Sequence, residues 1–315
     1  MFNSLFRRKS TYKRFKNSPA YDLNYFIKLF TSRNSILLGL GAGTFYLANL
    51  HEAPFTKRLR FIWVPRWIET KAGDWSYRSL MRERGADLLP SNHPVNIKVT
   101  SIMNNLLTTA IANSQDQDQI NHLKSLNWSV NILKSDPHEP PNAFILPNGK
   151  VFVLSSILPL CKNDDALATI LAHELSHQLA RHSGEQLLKL PFFLLLAASD
   201  FTKNRAFNRL TVDGLLQMPN SREMETEADR IGCEIMSRLC YDPNEAVNFW
   251  IGMNKITSQD DGWFQDFFAT HPNSAKRIND IRSWLPELQS MRDLSNCYEK
   301  QFLQFDEHVK KFIQN

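Results

Sequence analysis

Acidic residues are missing from the first 21 positions, where Arg7, Arg8, Lys9, Lys13, Arg14 and Lys16 stand among Phe2, Leu5, Phe6, Tyr12 and Phe15. No apolar run follows directly behind these charges, which argues against a secretory signal. The acid-poor, amphipathic composition is that of a mitochondrial presequence, and a targeting segment is expected over residues 1–34. A full bilayer-length apolar run of about 20 residues is missing as well. The stretch 35–50 is uncharged but only 16 residues long, and Gly39, Gly41 and Gly43 interrupt it. Those glycines weaken a helix in water and suit close packing in lipid, so one membrane helix is expected over 35–50. Beyond it, Lys57, Arg58 and Arg60 alternate with Phe61, Trp63 and Trp67, a mixture suited to a membrane–water interface within an expected linker over 51–91. Basic residues flank both ends of the apolar stretch, so the positive-inside rule gives no orientation.

Other absences narrow the chemistry. The four cysteines show no Cys-x-x-Cys spacing, which argues against a cysteine zinc site. There is no Gly-x-Ser-x-Gly elbow and no persuasive Cys/His pair, which removes the common covalent nucleophiles. The net charge of +5 is an N-terminal property: residues 1–66 hold 12 Lys and Arg against 2 Asp and Glu, leaving 25 against 30 in the rest. A nucleic-acid-binding domain needs its positive charge on the folded body, so nucleic acid is not an expected partner.

Between Asp164 and Arg181 there is neither Gly nor Pro, and Ala166, Leu167, Ile170, Leu171, Leu175 and Leu179 recur at helical spacing. Asn163 or Asp164 is available as an N-cap. Within this helix lies His173-Glu174-Leu175-Ser176-His177. Imidazoles at i and i+4 share one helix face, so both can bind one zinc ion with Glu174 beside the attacking water. A catalytic zinc takes three protein ligands. The pattern His-Glu-x-x-His-x-x-Gly-x-x-His is excluded by Ala180 and Ser183, and His182 stands one position out of phase. The better source is Ser221-Arg222-Glu223-Met224-Glu225-Thr226-Glu227-Ala228-Asp229, where Glu225 and Asp229 are again i and i+4. Glu225 can then reach the metal and Asp229 the free ring nitrogen of a ligating histidine. Ala228 and Gly232 allow close packing on the first helix. Glu223 and Glu227 form a competing i, i+4 pair on another face.

These residues resemble the gluzincin family of membrane-associated metallopeptidases that includes the HtpX heat-shock protease and the CAAX prenyl protease. Two further stretches are similar to it. Asn142-Ala143-Phe144 opens a strand and hairpin ending in Phe152-Val153, and Thr270-His271-Pro272-Asn273-Ser274-Ala275-Lys276-Arg277 resembles the family's His-Pro segment. Asn148-Gly149 between alternating apolar residues is a hairpin signal in its own right. An edge strand bordering the cleft can hold an extended substrate by strand addition, which makes Asn142, Ala143 and Phe144 candidate substrate-binding residues. The resemblance implies an oxyanion-stabilising role for His271. The presequence, the apolar stretch and His51-Glu52-Ala53-Pro54-Phe55 narrow it to the Oma-type mitochondrial inner-membrane branch, although Thr56-Lys57 stands where a small residue and Gly are expected. That branch implies a catalytic domain in the intermembrane space and stress-activated quality control of inner-membrane proteins.

The expected fold is α+β and mainly α: a zincin-like domain over 92–285 with a small β-sheet, preceded by a membrane helix and followed by a C-terminal helix over 286–315. One Zn2+ per chain is expected on His173, His177 and Glu225, with Glu174 as general base and Asp229 behind a ligand. Polypeptides in or at the inner membrane and membrane lipid are the expected partners, and a homo-oligomer is left open. The apolar run Leu187–Phe201 reads as an interfacial or core helix. A Cys240–Cys297 bridge is the favoured pairing if the thiols are oxidised, buried free thiols being the alternative. A prenyl-protein protease and an inactive zinc scaffold are the alternative functions.

Overall fold

The computed structural model describes residues 32–53, 56–136, 139–189, 220–257, 271, 275–295 and 297. The chain divides into two units, Met1–Leu50 and His51–Asn315. In the first, helix α1 (Arg33–Ala48) is capped by Ser32, whose hydroxyl accepts from Ser35 N. None of its residues is buried, and Leu37, Leu38, Leu40 and Leu47 are exposed. Among the described residues no helix is long and apolar enough to cross a membrane. The expected targeting segment lies outside the described residues up to position 31, as does most of Leu187–Phe201.

A two-stranded ribbon, β1 (Leu50–Glu52) and β2 (Leu59–Phe61), is followed by α2 (Arg66–Arg84). The described residues of 51–91 thus form β2, α2 and part of β1, and they group with His51–Asn315. Glu69, Gly73, Ser76 and Ser79 of α2 are buried, small or paired residues that let the helix lie close to its neighbours. Gly73 faces the hairpin turn so closely that a Cβ there would come 2.7 Å from Asn148 N.

Helices α3 (Pro94–Asn113) and α4 (Gln117–Ser125) lead into strands β3 (Ser129–Leu133), β4 (Ala143–Ile145) and β5 (Lys150–Leu154). The strand order is β3-β5-β4, with β3 parallel and β4 antiparallel to the central β5. Val151, Phe152, Val153 and Leu154 of β5 are buried on both faces, as a central strand covered on both sides requires. The β4–β5 turn closes with Gly149 N donating to Leu146 O at 2.9 Å, and Gly149 takes φ +83°, the left-handed backbone that favours glycine. This is the hairpin that Asn148-Gly149 signalled. Among the described residues β4 is an edge strand.

The centre of the unit is α5 (Asp164–Leu179), capped by Asn163, whose side chain accepts from Ala166 N. Every residue of α5 except Asp164, Asp165 and His177 is buried. A helix that is apolar on nearly all sides must be enclosed, and α3, β4, α7 (Arg222–Arg238) and α8 (Asn244–Thr257) enclose it. Burial of Leu171, Leu175 and Ile231 stabilises this packing by about 1.5–3 kcal/mol per side chain. Gly232 of α7 is where the two helices meet: a Cβ there would lie 3.2 Å from Ala172 C and His173 N.

Helix α9 (Ala275–Leu294) runs through the expected boundary at 285/286. The helix continues past Pro286, whose nitrogen cannot donate the backbone hydrogen bond of its turn. The rest of the expected C-terminal segment lies outside the described residues apart from Ser295 and Cys297. Cys297 forms a disulfide with Cys240, with Cα atoms 5.4 Å apart, so the favoured pairing is present. Cys161 and Cys233 are free thiols.

Candidate metal centre

His173 and His177 project from one face of α5 with their Nε2 atoms 3.1 Å apart. Helix α7, held close by Gly232, brings Glu225 opposite them. Glu225 Oε2 lies 3.3 Å from His173 Nε2, and Oε1 lies 3.4 Å from His177 Nε2. The side chain of Glu225 is completely buried. His271 completes the group: its Nδ1 is 3.3 Å from Glu225 Oε1 and 3.4 Å from His173 Nε2. One donor atom from each of His173, His177, Glu225 and His271 falls within 4.8 Å of the others.

The residues behind these donors fix their orientation. Asp229 Oδ1 sits 3.0 Å from His173 Nδ1, one turn along α7 from Glu225, as the i, i+4 spacing anticipates. Asp229 is in turn gripped by Arg277, which also places Nη1 2.8 Å from Glu225 Oε2. The Arg277 guanidinium lies over the Trp250 ring at 3.9 Å, and the same ring packs edge-on against His173. Arg277 was within the quoted His-Pro segment, but its role was not read from sequence. The signal for it in the sequence is the acid pair Glu225 and Asp229, two like charges that call for a cation.

His177 has a different support. Helix α5 ends at Leu179, and Arg181 takes a left-handed conformation (φ 53°, ψ 39°) before α6 (His182–Gln186) restarts. That reversal carries His182 back beneath His177, with Nδ1 atoms 2.7 Å apart, while His182 Nε2 meets Glu227 Oε2 at 3.0 Å. His182 is out of phase for the metal and in place behind a ligand. Of the competing acids, Glu223 is exposed and Glu227 is buried.

Glu174, the neighbour of His173, is buried and lies 3.5 Å from His271 Nε2. Burial pushes its carboxyl up from the usual carboxylate value. Burial opposes ionisation of Glu225 too, but His271, Arg277 and His173 outweigh it and hold Glu225 well below the ordinary range. For His173 burial disfavours the charged ring, and Glu225 and Asp229 overcome it, lifting the pKa to about 9. Burial dominates at His177 and holds that ring well below the usual imidazole value.

Asn142, Ala143 and Phe144 lie at and just before the edge strand. Asn142 Oδ1 is buried with no hydrogen-bond partner among the described residues, and Asn142 O accepts from Leu154 N. Phe144 stacks on Phe152 with ring centroids 5.2 Å apart, in a cluster with Tyr77 and Leu80, so its side chain contributes to packing.

A divalent cation fits this donor set. Among the described residues Glu225 Oε2 is buried with no aligned hydrogen-bond donor, and Glu225 and Asp229 together outweigh the single charge of Arg277. Two imidazole nitrogens and a carboxylate are the nitrogen and oxygen donors that zinc takes in catalytic sites, with His271 as a fourth group at the same point.

Residues 103–285 match peptidase family M48. The chain is 39% identical to the mitochondrial metalloendopeptidase OMA1 of Saccharomyces cerevisiae, over 91% of this chain and 85% of that one. It is 37% identical to the protein of the same name from Schizosaccharomyces pombe, over 82% and 74% of the two chains. It is 24% identical to the metalloendopeptidase OMA1, mitochondrial, of Homo sapiens, over 86% and 52%. The extent of these matches, across both helices that carry the donor cluster, means that this chain belongs to peptidase family M48.

Proposed function

We propose that this chain is a zinc metalloendopeptidase of the mitochondrial inner membrane that hydrolyses peptide bonds in membrane-associated polypeptides. The observation that carries the reading is the meeting of His173, His177 and Glu225 from two separated helices, with Glu174 one residue from the first ligand. Zinc, when bound by these three, supplies a Lewis acid that makes water acidic and polarises a carbonyl. Glu174 takes the proton of the attacking water and passes it to the leaving amine, and its burial-raised carboxyl suits a group that must do both. His271 stands against Glu174 and offers a ring N–H to the oxyanion of the tetrahedral intermediate. Asp229 orients His173, and Arg277 holds Asp229 and Glu225 ionised in a buried setting. The free edge of β4 binds substrate backbone as an added strand.

The names of the yeast relatives support the mitochondrial setting. The exposed leucines of α1 support anchorage of that helix in lipid, since so many apolar side chains on one helix need a cover. We place the catalytic unit on the intermembrane-space side and assign it to stress-activated quality control, on the likeness to the Oma-type branch. Comparison of wild type with Glu174→Gln in isolated membranes tests the mechanism. The variant retains zinc and loses peptide cleavage by about 10²–10⁴-fold; normal turnover by a zinc-loaded Glu174→Gln protein overturns it.

A further inference from the structure

His177 is held through buried His182, then buried Glu227, then half-buried Arg58 with Thr56 beside it, on the segment following β1. His182 Nε2 faces a carboxylate, so it carries the proton, which leaves His182 Nδ1 as an acceptor. His177 Nδ1 must then donate to it, and His177 Nε2 turns its lone pair toward Glu225 and the cation site. Glu227 is itself saturated. Oε1 accepts from Arg58 Nε at 2.9 Å and from Thr56 Oγ1, and Oε2 accepts from Arg58 Nη2 at 3.0 Å as well as from His182. The same guanidinium forks onto Glu185 at 2.9 and 2.7 Å, joining α6 to the segment. Lys57 between Thr56 and Arg58 takes φ 57°, and Lys57 N donates to Ala53 O, a tight reversal that aims both flanking side chains at Glu227. Arg58 reaches Glu227 and Glu185 and has no contact with the donor atoms of the centre.

We propose that Thr56 and Arg58 form a strap whose docking on Glu227 sets, through His182, the tautomer and orientation of His177, so that the affinity of the centre for its metal depends on the strap. Arg58, Glu227 and His182 are positioning residues. His173 is oriented by Asp229 directly, whereas His177 is oriented by a histidine that needs its own anion, and that anion is fixed from a segment far away in sequence. A buried polar chain in which every member is satisfied rigidifies its site, and loss of one link frees the rest. The strap thereby gives the N-terminal side of the unit a physical grip on the catalytic centre.

The inference rests on the zinc reading above, and the experiment separates the two. Full-length wild type, Glu227→Gln and Arg58→Ala are purified in detergent. Zinc affinity is measured by chelator competition, the visible spectrum is recorded after cobalt(II) substitution, and thermal unfolding is followed in chelator as a fold control. Both variants are expected to bind zinc about tenfold more weakly or worse and to shift the cobalt bands, with the metal-free fold retained. Arg58→Lys, which keeps the charge and loses the fork, is expected to recover part of the affinity. Thr56→Val provides a milder lesion in the same direction if Arg58→Ala does not fold. Wild-type zinc affinity and an unchanged cobalt spectrum in either folded variant overturn the strap. Failure of wild type itself to bind zinc overturns the zinc reading beneath it.

Discussion

Arg277 grips Asp229 through two parallel hydrogen bonds, Nε to Oδ2 at 2.6 Å and Nη2 to Oδ1 at 2.7 Å, with both side chains almost wholly enclosed. The same guanidinium also faces Glu225, so one cation compensates two buried carboxylates. Arg277→Leu removes that compensation and leaves both acids with only the neighbouring histidines against the cost of burial, so a loss of about 3–5 kcal/mol is expected. Arg277→Lys cannot fork onto Asp229 while reaching Glu225, so it recovers only part of the loss. Urea unfolding of the two variants against wild type checks the order; a Lys variant as stable as wild type removes the fork from the explanation.

His271 stands within the donor cluster and against Glu174, so its role divides between ligand and oxyanion donor. For His271→Asn we expect kcat to fall by about 10²–10³-fold with zinc content unchanged. Zinc loss in proportion to activity would make His271 a ligand. Activity and metal analysis on the same preparation separate the two.

Gly232 is the close-approach point between the helices that carry the ligands, where even a Cβ would stand 3.2 Å from the backbone of Ala172 and His173, tighter than ordinary van der Waals contact. Gly232→Val places a branched side chain there and must part α5 from α7, at a cost of about 1–3 kcal/mol. Because Glu225 rides on α7, zinc affinity should fall together with the melting temperature. A variant with normal zinc affinity and a wild-type melting curve would show that the helices are not held at this contact.

How much was legible beforehand follows from the range of each interaction. Helix α5, its Asn163 cap, the hairpin turn at Gly149 and the i, i+4 pairs on α5 and α7 are local patterns, and they stand where periodicity and turn chemistry put them. The Asp229–His173 contact followed because both partners lie on helices already identified. Arg277, His182, Glu227 and Arg58 were missed in these roles because each acts across a tertiary contact. His182 in particular depends on the left-handed turn at Arg181, a non-glycine residue that gives no local cue. Residues 51–91 read as a linker because their charges and tryptophans resemble an interface; the buried residues of α2 there are Glu69, Gly73, Ser76 and Ser79, which leave no apolar periodicity.

The thiols provide a check on the fold that is independent of the metal. Cys240 and Cys297 are bonded, Cys233 is buried, and burial pushes the Cys161 thiol up to about 12. Because the thiolate is the reactive form, alkylation of Cys161 should be slow near neutrality and rise about tenfold for each pH unit until the pH approaches that value. Cys233 should label only on unfolding, and Cys240 and Cys297 only after reduction. Mass spectrometry of the alkylated, non-reduced protein reads this directly; four reactive thiols in the native state would contradict it.

Everything assigned to the centre depends on Glu225 from α7 completing a metal site begun by His173 and His177 on α5. Zinc content and affinity of the purified full chain, measured for wild type and Glu225→Gln side by side, address this most directly. We expect about one zinc per chain in wild type, and binding weaker by about 100-fold or more in a folded Glu225→Gln protein. A folded Glu225→Gln chain that holds zinc as tightly as wild type would contradict the assignment.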